Sequence, residues 1–172
     1  MEKHLVILSA ACGVGKTTIQ NILQQSDLLP DYDCLGSDEM GFNWWHYAGT
    51  PHEADYSKDC LAEALVRSGN RPLVYCANMA PPDFRKLCPL FPELASVRHI
   101  GMTCSDEEVR RRLLARPPER MCGEEAFIQS QIDYNRWIRE HPQEYAFSID
   151  NTPYSEEETA RIIADFVRAI PL

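Results

Sequence analysis

The chain has 172 residues, 44% of them hydrophobic and 25% charged, which suits one packed domain over residues 1–172 and excludes a wholly disordered chain. Seventeen Lys and Arg stand against twenty-six Asp and Glu, a formal net charge of −9. That balance repels a phosphate backbone at long range, so no nucleic-acid partner is expected, although a local cluster of donors can still hold a small anion.

A nearly continuous apolar run at residues 4–9 (HLVILS) predicts a first strand covered on both faces. It leads straight into Ala10-Ala11-Cys12-Gly13-Val14-Gly15-Lys16-Thr17-Thr18, after which Ile19, Ile22 and Leu23 take up helical spacing. Residues 32–35 (YDCL) predict a second strand, and residues 53–68 a helix closed by Gly69-Asn70. Residues 72–77 (PLVYCA) and 97–103 (VRHIGMT) predict strands three and four. Ser105-Asp106-Glu107-Glu108 and Ser155-Glu156-Glu157-Glu158 both read as capping boxes that start helices. Between those two helices, residues 114–123 form an excursion with Pro117-Pro118, residues 124–140 a long helix ended by His141-Pro142, and residues 145–150 a fifth strand. In the last helix Ile162, Ile163, Phe166, Val167 and Ile170 mark one core-facing stripe. Strands separated by helices from end to end predict an α/β fold with a doubly wound sheet.

The segment from Ala10 to Thr18 fits [A/G]-x-x-x-x-G-K-[S/T] in the strand–loop–helix setting that this motif requires, with Ala10 where glycine is commonest. A polyphosphate needs several backbone N–H groups converging on it, and glycines let a loop wrap it without a Cβ in the way. The loop amides from Cys12, Gly13, Val14 and Gly15 into Thr18 are therefore the expected nucleotide cradle, at the positive end of a helix. Lys16 supplies a point charge for the β- and γ-phosphates, and the Thr17 hydroxyl suits Mg²⁺.

Gly36-Ser37-Asp38-Glu39 follows the second strand at the edge where open α/β sheets bind ligands. Asp38, nearer the strand end than Glu39, is the candidate to accept a proton from an attacking hydroxyl or to hold Mg²⁺ through water; the competing role is a turn or helix cap. Phe42-Asn43-Trp44-Trp45-His46-Tyr47 is the densest aromatic patch, and Trp44 is its candidate for stacking an acceptor, against plain packing for Phe42 and Trp45. His46 and His52 read as solvated or satisfied histidines rather than bases. Asn78, at the exit of strand three, either binds substrate or makes a turn. Arg112 and Arg116 share a helix face, so one guanidinium can stack on a base while the other reaches phosphate, whereas Arg110 and Arg111 read as solvated charge at a helix end. Arg120, beyond the prolines, stands on a loop able to close over a nucleotide. Gln131, Asn135 and Arg136 lie on the returning helix, with Arg136 the candidate to face the cleft.

Seven cysteines without a C-x-x-C pair read as reduced thiols that act mostly as small core residues. The apolar start at residues 5–8 breaks off into Gly13 and Lys16 instead of continuing as a signal peptide, and no window approaches the roughly 20 apolar residues that span a bilayer. A cytoplasmic chain with no membrane partner is expected.

Taken together, these residues resemble the P-loop small-molecule kinases, the group holding nucleoside monophosphate, shikimate and gluconate kinases and chloramphenicol phosphotransferase. The resemblance covers nearly the whole chain and rests on residues 10–17, on Asp38, on Arg112 with Arg116, and on Ile149-Asp150-Asn151-Thr152. It implies a three-layer P-loop fold with a five-stranded parallel sheet of order 2-3-1-4-5 and a small, mobile, arginine-bearing lid over about residues 114–124. It also implies Arg112 against adenine, Arg116 on phosphate, and Asp38 near the acceptor hydroxyl. Two features depart from the pattern. Residues 36–64 contain no arginine, only Lys58, so an acceptor phosphate would be poorly neutralised and a neutral alcohol or nucleoside fits better. Nor does an h-h-h-h-D run mark a second Mg²⁺ carboxylate, which leaves Asp38 as base, Mg²⁺ ligand or both. The expected activity is transfer of the γ-phosphate of ATP, with Mg²⁺, to a hydroxyl of a small, largely uncharged acceptor, by a monomer or homodimer. The alternative is a regulatory module that binds ATP or GTP, hydrolyses it slowly and has no acceptor.

Overall fold

The apolar run near the N-terminus becomes β1 (Lys3–Ser9), the middle strand of the sheet, with Leu5, Val6, Ile7 and Leu8 all buried. The structure, a computed structural model, describes residues 3–117 and 122–171. β2 (Asp33–Gly36), β3 (Leu73–Ala77), β4 (Leu94–Thr103) and β5 (Phe147–Asp150) join β1 in a five-stranded sheet of order β2-β3-β1-β4-β5, every neighbouring pair parallel. All five residues of β3 are buried, as a strand covered by helices on both faces requires.

Side chains alternate across β1. Val6 and Leu8 point into a core shared with α1 (Lys16–Gln25), α4 (Asp106–Leu114), α5 (Glu125–Glu140) and α6 (Glu156–Ala169). Leu5 and Ile7 point into a second core with α2 (Asp55–Arg67) and α3 (Pro81–Leu87). The expected order and layers are the observed ones. Helix α3 was not foreseen: Pro81 and Pro82 look like a break, but Pro at the first helical position costs no hydrogen bond and presets φ. The last helix carries the reciprocal capping box, Ser155 accepting from Glu158 N and Ser155 N donating to Glu158 Oε2. At α4 only half of the expected box forms: Ser105 Oγ accepts from Glu108 N, but Arg111 and Arg112 draw the Glu108 carboxylate away.

Register carries the site. Ser9 lies opposite Ala77 on one side and Gly101 on the other, Gly36 opposite Cys76, and Thr103 opposite Asp150. The segments that follow all five strands therefore leave the same edge, and β1 sits where the connections diverge to either side, the crevice position of open α/β sheets. The seven cysteines form no disulfide, and five of them are buried. Among the described residues no helix is long and apolar enough to cross a membrane. Residues 118–121, with Arg120 and part of the expected lid, lie outside the described residues.

Candidate active site

The loop after β1 is held open by two glycines. Gly13 has φ +90° and Gly15 φ +114°, the left-handed region that L side chains avoid. A Cβ on Gly13 would also come within 3.1 Å of Leu113 Cγ and of the Val109 carbonyl oxygen, so this turn packs directly on α4. Gly15 caps α1 without any side-chain hydrogen bond, and the first turn of α1 carries no acid. By contrast, α4 and α6 each start with a serine cap and three acids. The amides of Lys16, Thr17 and Thr18 thus precede the first intrahelical bond, Ile19 N to Gly15 O, and keep their donors for a ligand at the positive helix end.

Lysine and arginine lie on the carbonyl side of the same loop. Lys16 Nζ donates to Ala10 O at 2.8 Å and Ala11 O at 3.3 Å. Arg112 Nη1 donates to Val14 O at 2.9 Å and Gly13 O at 3.4 Å, and Asn151 Nδ2 reaches Val14 O at 3.1 Å. A second anchor fixes Arg112: its Nε donates to Glu108 Oε1 at 2.5 Å. Hydrogen bonds from Arg111 first, and then from Arg112, hold Glu108 at about 2, outweighing its partial burial.

The wall facing the loop comes from α5 and β3. Gln131 Oε1 accepts from Cys12 N at 2.9 Å and from Asn78 Nδ2 at 3.2 Å, so one amide oxygen bridges the loop and the β3 exit. The third wall follows β2. Glu39 is committed to structure, its Oε2 accepting from Gln20 Nε2 at 2.6 Å and Gly36 N at 3.2 Å. Asp38 beside it is exposed and makes no hydrogen bond or ion pair among the described residues. Above it Trp44 meets Tyr56 edge-on with centroids 5.3 Å apart, and Tyr47 meets Tyr56 at 5.4 Å. Burial, and then the charges of Cys60, Asp38 and Cys12, push the Tyr56 phenol well above its ordinary value. The helix that carries Tyr56, α2, packs beside the Ser37–Glu39 turn that carries Asp38.

The structure brings the loop, Lys16, Arg112, Asp38, Asn78, Trp44 and Gln131 to one edge. Thr17 is exposed and, among the described residues, its hydroxyl makes no hydrogen bond, so it presents an oxygen to solvent. Arg116 Nη1 reaches Cys122 Sγ at 3.7 Å, and among the described residues Arg116 meets no carboxylate. Arg136 is the exception. Its Nε donates to Asp106 Oδ2 at 2.6 Å, and Arg139 Nη2 takes the other oxygen at 2.8 Å, so Arg136 pins α5 to the start of α4 instead of turning into the cleft. Arg110 and Arg111 are solvated ion pairs with Glu125 and Glu108, and His46 and His52 are exposed. Tyr56 was missed by the sequence reading: it sits one turn before Cys60 on the core face of an ordinary amphipathic helix, where tyrosine is commonplace. Asn151, named from the sequence only as part of the final strand's exit, holds the loop through its side chain.

This strand order, with a phosphate-loop turn after β1 and the remaining loops along the same edge, is the shikimate-kinase-like P-loop fold of small-molecule kinases. Three solved structures illustrate the likeness. The Deinococcus radiodurans tunicamycin resistance protein is 20% identical, with a TM-score of 0.63 over 96% of this chain and 96% of its own. The Acinetobacter baumannii shikimate kinase, solved with shikimate, is 17% identical, with a TM-score of 0.66 over 96% of this chain and 93% of its own. A gluconokinase from Sinorhizobium meliloti 1021 is 14% identical, with a TM-score of 0.59 over 95% and 93%. No protein-family model matches the chain, and no curated protein matches it.

Proposed function

We propose that this chain is an ATP- and Mg²⁺-dependent kinase that transfers the γ-phosphate to a hydroxyl of a small acceptor carrying no anionic group, nucleosides among the candidates. The observation that carries the reading is Asp38, an exposed carboxylate without a partner among the described residues, on the turn after β2 at the same sheet edge as a glycine-rich loop whose helix is left uncapped. The solved shikimate kinase and gluconokinase support it through their fold.

In this reading the amides from Gly13 to Thr18 grip the phosphates, and Lys16 leaves the Ala10 and Ala11 carbonyls to meet the β- and γ-phosphates. The donors at hand, the Thr17 hydroxyl and the Asp38 carboxylate, are hard oxygens that fit Mg²⁺. Bound there, the ion would neutralise charge on the phosphate oxygens. Asp38 orients the acceptor hydroxyl and takes its proton as the new O–P bond forms and the bond from the γ-phosphorus to the bridging oxygen breaks, releasing ADP. Arg112 and Arg116 hold the nucleotide and its transferring group, and Trp44 and Asn78 border the acceptor.

Screening nucleosides, sugars and antibiotics by ADP release tests the proposal. Acceptor-dependent release that disappears with Asp38→Asn is the expected result. Slow, acceptor-independent hydrolysis with no responsive acceptor would describe the regulatory module instead.

A further inference from the structure

The acceptor side of the cleft is charged in one sense. Between residues 36 and 64 six carboxylates face a single lysine, which leaves five of the chain's nine net negative charges in this short stretch. Most are engaged. Glu39 holds Gly36 N and Gln20, Glu53 holds Gly49 N, Glu63 pairs with Arg67, and Asp55 pairs with Lys58 at 2.8 Å. Asp38 has no partner, and Asp59 has only the Tyr47 hydroxyl at 3.1 Å and a distant Lys58 at 3.5 Å.

These two carboxylates border aromatic rings that are open to solvent. Trp44 is 37% exposed and Trp45 48%, unusual for so large a side chain, and Tyr47 and Tyr56 complete the group. In the core against which Phe42 and Tyr56 pack, the Tyr75 hydroxyl is completely buried and, among the described residues, lacks any hydrogen-bond partner. Ring faces are the negative part of an aromatic quadrupole, and carboxylates beside them add to the same field. A metal ion held by side chains alone, without a nucleotide's phosphates, does not suit these rings, because among the described residues no three His, Cys, Asp or Glu side chains converge on one. An organic cation does, since it spreads its charge over a ring face while its hydroxyls reach the carboxylate.

We infer that the acceptor, in the kinase reading on which this inference rests, is an alcohol bearing a protonated amine, an amino sugar or amino alcohol. Its ammonium lies against Trp44 and Tyr47 beside Asp59, and its reactive hydroxyl reaches Asp38. The chain's overall −9 charge then favours its approach.

Tryptophan fluorescence tests this, with glucosamine and ethanolamine titrated against glucose, N-acetylglucosamine and gluconate at low salt. The two amines should quench saturably and bind at least about tenfold more tightly than the neutral and anionic compounds. Asp59→Asn should weaken the amines about three- to tenfold and leave glucose unchanged. Absence of saturable quenching by either amine overturns the inference, as does binding of N-acetylglucosamine or gluconate as tight as that of glucosamine. ADP release, measured in parallel, separates this from the kinase reading. Amine binding without any acceptor-stimulated release supports the cation site and overturns the kinase. Release stimulated by a neutral or anionic alcohol, with no amine binding, supports the kinase and overturns this inference.

Discussion

In the proposed kinase the two walls of the cleft, one assigned to nucleotide and one to acceptor, are built on different principles. The nucleotide wall is main chain: two left-handed glycines, an uncapped helix and a lysine folded onto carbonyls within one short run of sequence. The acceptor wall is side chains gathered from afar, Asp38 from a turn after β2, Trp44 from an exposed 3-10 turn at Trp44–His46, Tyr56 from α2 and Gln131 from α5. A grip made of backbone is fixed by local conformation and accepts any triphosphate tail. A grip made of side chains depends on tertiary packing, and there specificity can be altered without disturbing the phosphate site.

Lys16→Ala is the sharpest way to break the contrast. It should reduce phosphate transfer at least about 10²–10³-fold while far-UV circular dichroism and acceptor binding stay as in the parent. Parental turnover in this variant would remove the basis for the nucleotide wall. The mirror change, Asp38→Asn, should leave ATP affinity intact when calorimetry is done without Mg²⁺, and lower acceptor-dependent turnover about 10²-fold or more. Loss of ATP binding there would mean that the two walls are not separable. Gly13→Ala acts on backbone alone: a Cβ at φ +90° and 3.1 Å from Leu113 should cost about 1–3 kcal/mol, read as a lower unfolding midpoint together with weaker nucleotide binding.

The smallest effects are in acid. Burial first, and then Arg85, holds His99 down to about 4, from an unfolded value of 6.5. The unfolded chain therefore binds the extra proton, and His99 should stabilise above pH 6.5 and lose that contribution as pH falls toward about 4. Glu108, depressed from 4.5 to about 2, contributes above its unfolded value and loses it as pH falls through about 2. Melting curves across pH should show two successive declines, the upper removed by His99→Phe and the lower by Glu108→Gln. A curve that keeps the upper decline in the His99 variant refutes the assignment.

Much of the nucleotide wall could be read from the chain because its signals are contiguous. The strand, the glycines and the lysine of the phosphate loop sit side by side, and five strand candidates separated by helical stretches make the layered sheet the economical solution. The acceptor wall was legible only in part. Asp38 could be placed because it directly follows a strand. Arg136 could not, since the residue that claims it, Asp106, lies 30 positions away in sequence. Glu108 shows the same limit: its spacing from Ser105 spells a capping box, but two arginines one turn onward outbid the backbone for its carboxylate. Local spacing states what a side chain can do, and tertiary neighbours decide which of its options is taken.

The amide of Gln131 has a consequence for how two ligands would meet. A single oxygen receives Cys12 N from the nucleotide wall and Asn78 Nδ2 from the acceptor wall, so it works as a tie rod under both. Any guest that draws off one of those N–H groups changes the pull on the other. The affinity for ATP should then depend on whether acceptor is present, and by the same factor in reverse, a thermodynamic square that titrating each ligand with and without the other would close. With Gln131→Leu the tie is cut, and the two affinities should become independent.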